Sequence, residues 1–562
     1  MSQPADLVLV DGEVITVDGA FTVAQAMAVT GGSITAVGSN ADIRALIGPR
    51  TEVVDLHGRT ALPGINDSHL HACAFGITRP PLALDAGHPA VTSIADVAAA
   101  VREAAGRTPP GEWIRGNGWD LGYLAECVGG RMPSRHDLDA VAPGHPVCLQ
   151  DFSAHMTWAN TMALRLAGIT GDTPVPEGGV VHRDADGEPS GLLAEGAQAL
   201  LSRHLPPYGR GQIERAITSA IGMLHKEGIT SYTEPGLGPG GSELFGGAAG
   251  AEPLDVYADF ARRGELKARV SVLLLFTAMA GSAARIEEGL REFAAPTGLD
   301  PRLLSVLGVK IFADGIPPNK TAWMHQEYLG GGLGCLCVDG GGDLERSEEL
   351  AEMVRLAHAA GHQIGVHVTG DRAIDAVVGA FVAAQRKHPR DDPRHYLIHA
   401  DFARPETLAE LAAHGFGANM NPAIKWTTAE LVERMLGPGR AAYQWPMRTA
   451  LRAGVKVTSS SDAPVTYPNW RQGVAAMLLR ESKISGRVYG PEERIGLEDA
   501  IRAYTVNAAW QDFAEGWKGS LEPGKVADVT VLDGTLTTLD PHELPDTPVA
   551  LTIFNGEVVH SI

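Results

Sequence analysis

LLSVLGVKIFAD, residues 303–314, reads as a β-strand with one residue that does not belong in it. An unpaired Lys310 ammonium among Val, Ile and Phe side chains would be costly, so this lysine calls for a partner or a chemical role. On both sides of the run, strand-like and helix-like segments alternate, the signature of parallel β/α architecture. Three strand candidates precede it: ALPGIND (61–67), GITSYTE (228–234) and VSVLLLF (270–276). Four follow: QIGVHV (363–368), HYLIHA (395–400), GFGANMN (415–421) and VKVTSSSD (455–462). Amphipathic stretches separate several of them; Leu350, Met353, Val354 and Ala357 keep helical spacing. Eight strands close a (β/α)8 barrel of the TIM type. Residues from about 76 to 226 are too many for one crossover and read as an insertion between barrel strands one and two. The insertion contains its own strand, PVCLQDF (146–152), and several helices.

The two ends of the chain follow a different pattern, short β-branched runs broken by turn residues. Asp11-Gly12, Gly31-Gly32 and Asn555-Gly556 each read as a hairpin turn. Neither end has enough strands to bury a core alone, so both are expected to join in one small discontinuous β-sandwich. The expected division is 1–62 and 515–562 for the sandwich and 63–514 for the barrel with its insertion.

Composition narrows the function. The net charge of −21 without a basic run excludes nucleic acid as a partner. Five scattered cysteines form no disulfide framework and suit a reducing, cytoplasmic setting. Cys335-Leu-Cys337 could be half of a zinc site, but no second Cys pair exists to close it. MSQPADLVLV has no basic segment leading into a long apolar one, so no signal peptide is expected. The apolar stretch from Val270 to Ala284 is too short to span a bilayer, and no membrane partner is expected.

The residues that carry chemistry lie at one end of the predicted strands. His69-Leu-His71 ends strand one, and alternate strand residues face the same way, so both imidazoles could reach one metal. With 20 histidines in the chain, about one such pair arises by chance, so the motif is weak alone. His367 lies near the end of strand five, His399 ends strand six, Asp462 ends strand eight, and Lys310 lies inside strand four. Barrel enzymes build their sites at the C-terminal ends of their strands, which makes the joint placement far more specific than any member.

LPGINDSHLHA (62–72), VKIFADG (309–315), HVTGDRAID (367–375), IHAD (398–401), SSDAPV (460–465) and AYTVNAAW…GSLEPGKVADVTVLD (503–533) together resemble the amidohydrolase superfamily. More narrowly they resemble its YtcJ-like branch, which includes N-substituted formamide deformylases, and the resemblance runs nearly end to end. It implies that His69 and His71 bind the more buried metal and that a carboxylated Lys310 bridges two metals. It further implies that His367 and His399 bind the second metal, and that Asp462 is both ligand and proton shuttle. The lysine role has a physical rationale: carboxylation by CO2 turns a cation repelled by two dications into an anion that attracts them. Two metals about 3.5–4 Å apart can share one water and lower its pKa; the ligand types suit zinc.

Further positions are candidates around the same site. His155, in QDFSAHMTWAN (150–160), is similar to a family segment whose histidine polarises the scissile carbonyl. Asp371 could orient a ligand or cap the helix that follows it. Trp119 could line the pocket, as could Trp323, Tyr467 and Trp470 in the loops after strands four and eight, which suggests an apolar or aromatic wall. ADGIPPNKTAWM (313–324) and the glycine-rich GGLGCLCVDGGG (331–342) depart from the family pattern, which bears on substrate more than on chemistry. The expectation is a metal-dependent hydrolase cleaving a C–N bond of an amide, N-formyl or cyclic amide by attack of metal-bound hydroxide, with Asp462 as general base and acid. A lyase or isomerase on the same metals, or a non-catalytic regulator, are the alternatives. Its partner is expected to be a small, apolar or aromatic molecule, and the chain is expected to form a homodimer.

Overall fold

The computed structural model describes residues 4–87, 90–121, 124–151, 156–176, 179–242 and 244–562. Eight parallel strands pair in strict chain order: β1 (Ile65–Asp67), β2 (Ile229–Leu237), β3 (Arg269–Leu274), β4 (Leu304–Phe312), β5 (Gln363–Val368), β6 (Tyr396–His399), β7 (Gly417–Met420) and β8 (Lys456–Ser459). Each overlaps the segment predicted for it. Bonds from the segment after β1 to the end of β8 and to the segment after it close the ring: Ser68 Oγ donates to the Ser459 carbonyl (2.7 Å) and the Asp462 amide to the His69 carbonyl (3.0 Å). Outside the strands, the helix Asp343–Ala359 buries Leu350, Met353, Val354 and Ala357, the stripe its spacing predicts.

The expected first strand is in fact two. Thr60–Pro63 pairs with Val529–Leu532 and Glu13–Ile15, outside the barrel, and only Ile65–Asp67 belongs to β1. Gly64 makes the break, because a side chain there would collide with Thr230 Oγ1 and lie 2.9 Å from Asp528 Cβ.

The chain ends form two facing sheets. Leu7–Val10, Ala26–Thr30, Ser33–Gly38 and Glu52–Asp55 make one; the other interleaves Glu13–Ile15, Val23–Ala24 and Thr60–Pro63 with Val529–Leu532, Val549–Phe554 and Glu557–Ser561. Leu7, Leu9, Met27 and Ile34 from the first pack with Val14, Ala61, Val529, Val531 and Ile553 from the second. The hairpins at Gly31-Gly32 and Asn555-Gly556 form as expected, with both turn residues at positive φ in each. Asp11-Gly12 does not make a hairpin: Leu7–Val10 and Glu13–Ile15 belong to different sheets. Leu7–Val10 is buried along its whole length and paired on both sides, so the turn passes the chain from one layer to the other.

Cys73–Ala220, with Glu243–Ala248, forms a compact unit of its own. It holds a six-stranded mixed sheet in which the predicted PVCLQDF strand appears as Val147–Asp151. Trp119, Leu138, Leu149, Trp158 and Leu192 fill its core.

Candidate metal centre

Barrel topology delivers six chemically distinctive side chains to the C-terminal ends of five strands. β1 stops at Asp67, so His69 and His71 stand on the bend that follows it, not on the strand. Their rings lie 5.3 Å apart and edge-on, and each Nε2 approaches Asp462 Oδ1, at 3.3 Å and 3.5 Å. His399 is the last residue of β6; its ring lies 5.5 Å from that of His69 and 4.6 Å from that of His367 on β5. Donor atoms of His69, His399 and Asp462 all lie within 4.8 Å of one another.

Two of these residues have backbones that L-amino acids adopt reluctantly. His399 has φ +75° and Asp462 φ +55°, a cost of order 1–3 kcal/mol each. Local bonds hold them there: Trp445 Nε1 donates to the His399 carbonyl (2.7 Å), and the Asp462 amide is bound to His69. These conformations aim both side chains at the shared cluster, and their neighbours sustain them.

Lys310 projects from within β4 and is 1% exposed, its Nζ 5.0 Å from the Phe312 ring centroid. Burial pushes its pKa down to about 7 against the opposing pull of Asp462. Burial holds His69 and His367 well below the usual histidine range, joined at His69 by the charge of Lys310 and at His367 by His399 and then Lys310, and burial lowers His399 too. Neutral imidazole is the form that ligates metals. For Asp462, burial works to raise the pKa but the adjacent His69 and His71 rings outweigh it, and the carboxyl stays ionised.

The donor set fits a divalent cation. Imidazoles crowd around the Asp462 carboxylate, and His69 Nδ1 is buried with no hydrogen-bond partner among the described residues. Cys335 and Cys337 are free thiols and do not join this cluster.

Sequence reading misses the carboxylates that hold the site together. Asp67, 1% exposed and pushed by burial up to about 7, accepts the Ser461 amide (3.1 Å) and the His69 amide (3.3 Å), joining the segments that carry His69 and Asp462. Glu234, near the end of β2, accepts the Ala72 amide (2.8 Å) and the Tyr257 hydroxyl (3.0 Å), and its Oε1 lies 3.8 Å from His71 Nδ1. Asp314 accepts the amides of Trp323, Thr369 and Gly370, each within 2.9 Å, pinning the loops after β4 and β5 together. Their signal was a carboxylate at a strand end, the same signal that flagged Asp462.

The expected pocket residues are less well gathered. Trp119 is a core residue of the separate unit: its indole donates to the Leu149 carbonyl (3.0 Å) and its ring meets Trp158 edge-on. An irregularity between Asn117 and Trp119 turns it inward. Trp470 begins the helix Trp470–Leu479 and donates to the Glu227 carbonyl (2.8 Å), ahead of β2 and at the opposite end of the strands from the histidines. Neither forms the expected wall. Trp323 is buried beneath the Arg372 guanidinium, 4.0 Å from its ring centroid, beside the Asp314 clamp. Tyr467 is 45% exposed. Asp371 opens the helix Asp371–Lys387 and accepts the amides of Arg372 and His325, each 2.8 Å away. His155 lies outside the described residues.

An eight-stranded parallel barrel with buried imidazoles and a carboxylate at its C-terminal rim defines a class, the barrel proteins built to hold a metal at that rim. The chain belongs to the amidohydrolase family, whose model matches residues 52–560; it is a hydrolase whose cofactor is a divalent metal. It is 29% identical to YtcJ of Bacillus subtilis (strain 168), over 95% of this chain and 96% of that protein. It is also 29% identical to an N-substituted formamide deformylase of Arthrobacter pascens, over 99% of this chain and 98% of that protein. A crystal structure of an uncharacterized metal-dependent hydrolase from Pyrococcus horikoshii OT3 shares the fold, with a TM-score of 0.72, 20% identity, and 96% of this chain and 99% of that one covered. Among the described residues, no helix is long and apolar enough to cross a membrane.

Proposed function

We propose that His69, His71, Lys310, His367, His399 and Asp462 hold one or two divalent ions, zinc first among them, and that the site hydrolyses a C–N bond in a small non-peptide amide. N-formyl amines, N-acyl amines and cyclic amides are the substrate classes; the formamide deformylase of matching length supports the first. The observation that carries the reading is the convergence of His69, His399 and Asp462 donor atoms within 4.8 Å at the mouth of the barrel. Imidazole and carboxylate donors suit zinc.

When bound, the metal supplies a water of lowered pKa and polarisation of the carbonyl oxygen. Asp462, ionised and beside both His69 and His71, takes the proton of the attacking water and passes it to the departing nitrogen. Lys310 is suited to carboxylation, because a buried amine near pKa 7 is substantially unprotonated at neutral pH. Its nitrogen adds to CO2 and releases a proton, leaving a carbamate anion with two donor oxygens.

The test joins metal analysis of the purified protein with a mass-spectrometric screen of N-formyl and N-acyl compounds. Bound zinc and products heavier in sum by one water are expected. Products formed without water uptake would replace hydrolysis by elimination or isomerisation, and a protein that takes up no divalent metal would end the reading.

A further inference from the structure

Asn421 follows β7 and stands at the N-terminal boundary of the helix Pro422–Leu436, where an asparagine ordinarily caps the helix through its side chain. Here the side chain makes no cap bond. Instead Asn421 Oδ1 lies 2.7 Å from His399 Nδ1, while its Nδ2 donates to Ser460 Oγ (2.8 Å) and to the Ser460 carbonyl (3.4 Å). A carbonyl only accepts, so the amide nitrogen must face Ser460 and the amide oxygen must face His399. The proton between them then belongs to His399 Nδ1.

The orientation is fixed from further off as well. The Ser460 hydroxyl donates to Asn419 Oδ1 (2.8 Å), Asn419 Nδ2 donates to Ser68 Oγ (2.7 Å), and Ser68 Oγ donates to the Ser459 carbonyl (2.7 Å). A backbone carbonyl at each end sets the direction of every bond between. Asn421, Asn419, Ser460 and Ser68 are all fully buried, so water offers no competing partner.

We infer that Asn421 is a positioning residue that holds His399 as its Nδ1–H tautomer, leaving Nε2 as the nitrogen that can take the metal. The inference rests on the reading of His399 as a ligand. It assigns the Asn-x-Asn spacing at the end of β7 to a polar chain inside the barrel, where apolar branched side chains are usual.

The test measures zinc affinity of the full-length protein by chelator competition, beside the thermal midpoint of the metal-free form, for wild type, Asn421→Ala, Asn421→Asp, Ser460→Ala and His399→Ala. Asn421→Ala should weaken zinc binding by about 10–100-fold. Asn421→Asp keeps an acceptor for His399 Nδ1–H and should stay within a few-fold of wild type, although it loses the donor to Ser460 and melts earlier, as Asn421→Ala does. Ser460→Ala should show a smaller loss of affinity, and it carries the test with Asn421→Asp if Asn421→Ala does not fold. Wild-type affinity in Asn421→Ala, or a loss in Asn421→Asp as large as that in Asn421→Ala, would overturn the inference while the ligand reading stands. Unchanged zinc binding in His399→Ala would remove the ligand reading first and this inference with it.

Discussion

Lys310 is where burial and chemistry conflict most directly. Its ammonium has no carboxylate within ion-pair distance among the described residues, yet the side chain is 1% exposed. In metal-free, CO2-free buffer the folded protein holds Lys310 near pKa 7, against about 10.4 for a free lysine in the unfolded chain. Between those values the unfolded state binds more protons, so stability rises with pH from about 7 to 10; below 7 the full penalty applies. Urea unfolding across that range should show the rise, at most about 5 kcal/mol, in wild type and not in Lys310→Met. Parallel pH dependences would mean that the amine is not buried as described. Asp462→Asn should lower turnover by about 10²–10⁴-fold while the far-ultraviolet circular dichroism is kept and at least one metal remains bound. Near-normal turnover would remove Asp462 from the proton path. The candidate ligands were readable in the sequence because Lys310, His367 and His399 interrupt or end apolar strands, while His69, His71 and Asp462 follow closely on strand ends. Asn419 and Asn421 were not, since an asparagine at a strand end reads equally as a turn former, and only its hydrogen-bond partner separates the two.

Strands and turns differ in how much of themselves they disclose. The barrel strands are legible because each is a short apolar run between glycine- or polar-rich loops, and the parallel order follows from the helices between them. Asp11-Gly12 misled because a turn signal reports local backbone geometry and not the strand that will pair with the next segment. ALPGIND misled at the opposite scale, since one continuous run serves two sheets. Gly64→Ala puts this to the test: a methyl there meets Thr230 Oγ1 and Asp528 Cβ, and overpacking of this kind costs about 1–3 kcal/mol. The thermal midpoint should fall, and Thr230→Ala should restore part of it, because Thr230 Oγ1 has no hydrogen-bond partner among the described residues to lose. A neutral Gly64→Ala would show that the break has another cause.

In the whole molecule, the sandwich strands from the C-terminal end are tied to the barrel by a buried, two-pronged ion pair. Arg269, at the start of β3, donates to Asp528 through Nε (2.6 Å) and a terminal nitrogen (2.9 Å), and Asp528 also accepts the Asn555 amide (2.8 Å). Asp528→Ala should cost about 3–5 kcal/mol by leaving the guanidinium buried and unpaired. The double change Arg269→Met/Asp528→Leu should cost much less; an equal loss would show that packing and not charge is at stake. At the other end of the strands, the decisive question is whether His69, His71, Lys310, His367, His399 and Asp462 share a metal. An anomalous-difference map at the zinc absorption edge, from crystals grown with zinc, answers this most directly. The predicted map has a peak about 2.0–2.1 Å from imidazole nitrogens of the His69, His71, His367 and His399 group, with Asp462 and Lys310 beside it. A map with no density among these residues, or with its peaks elsewhere on the molecule, would contradict it.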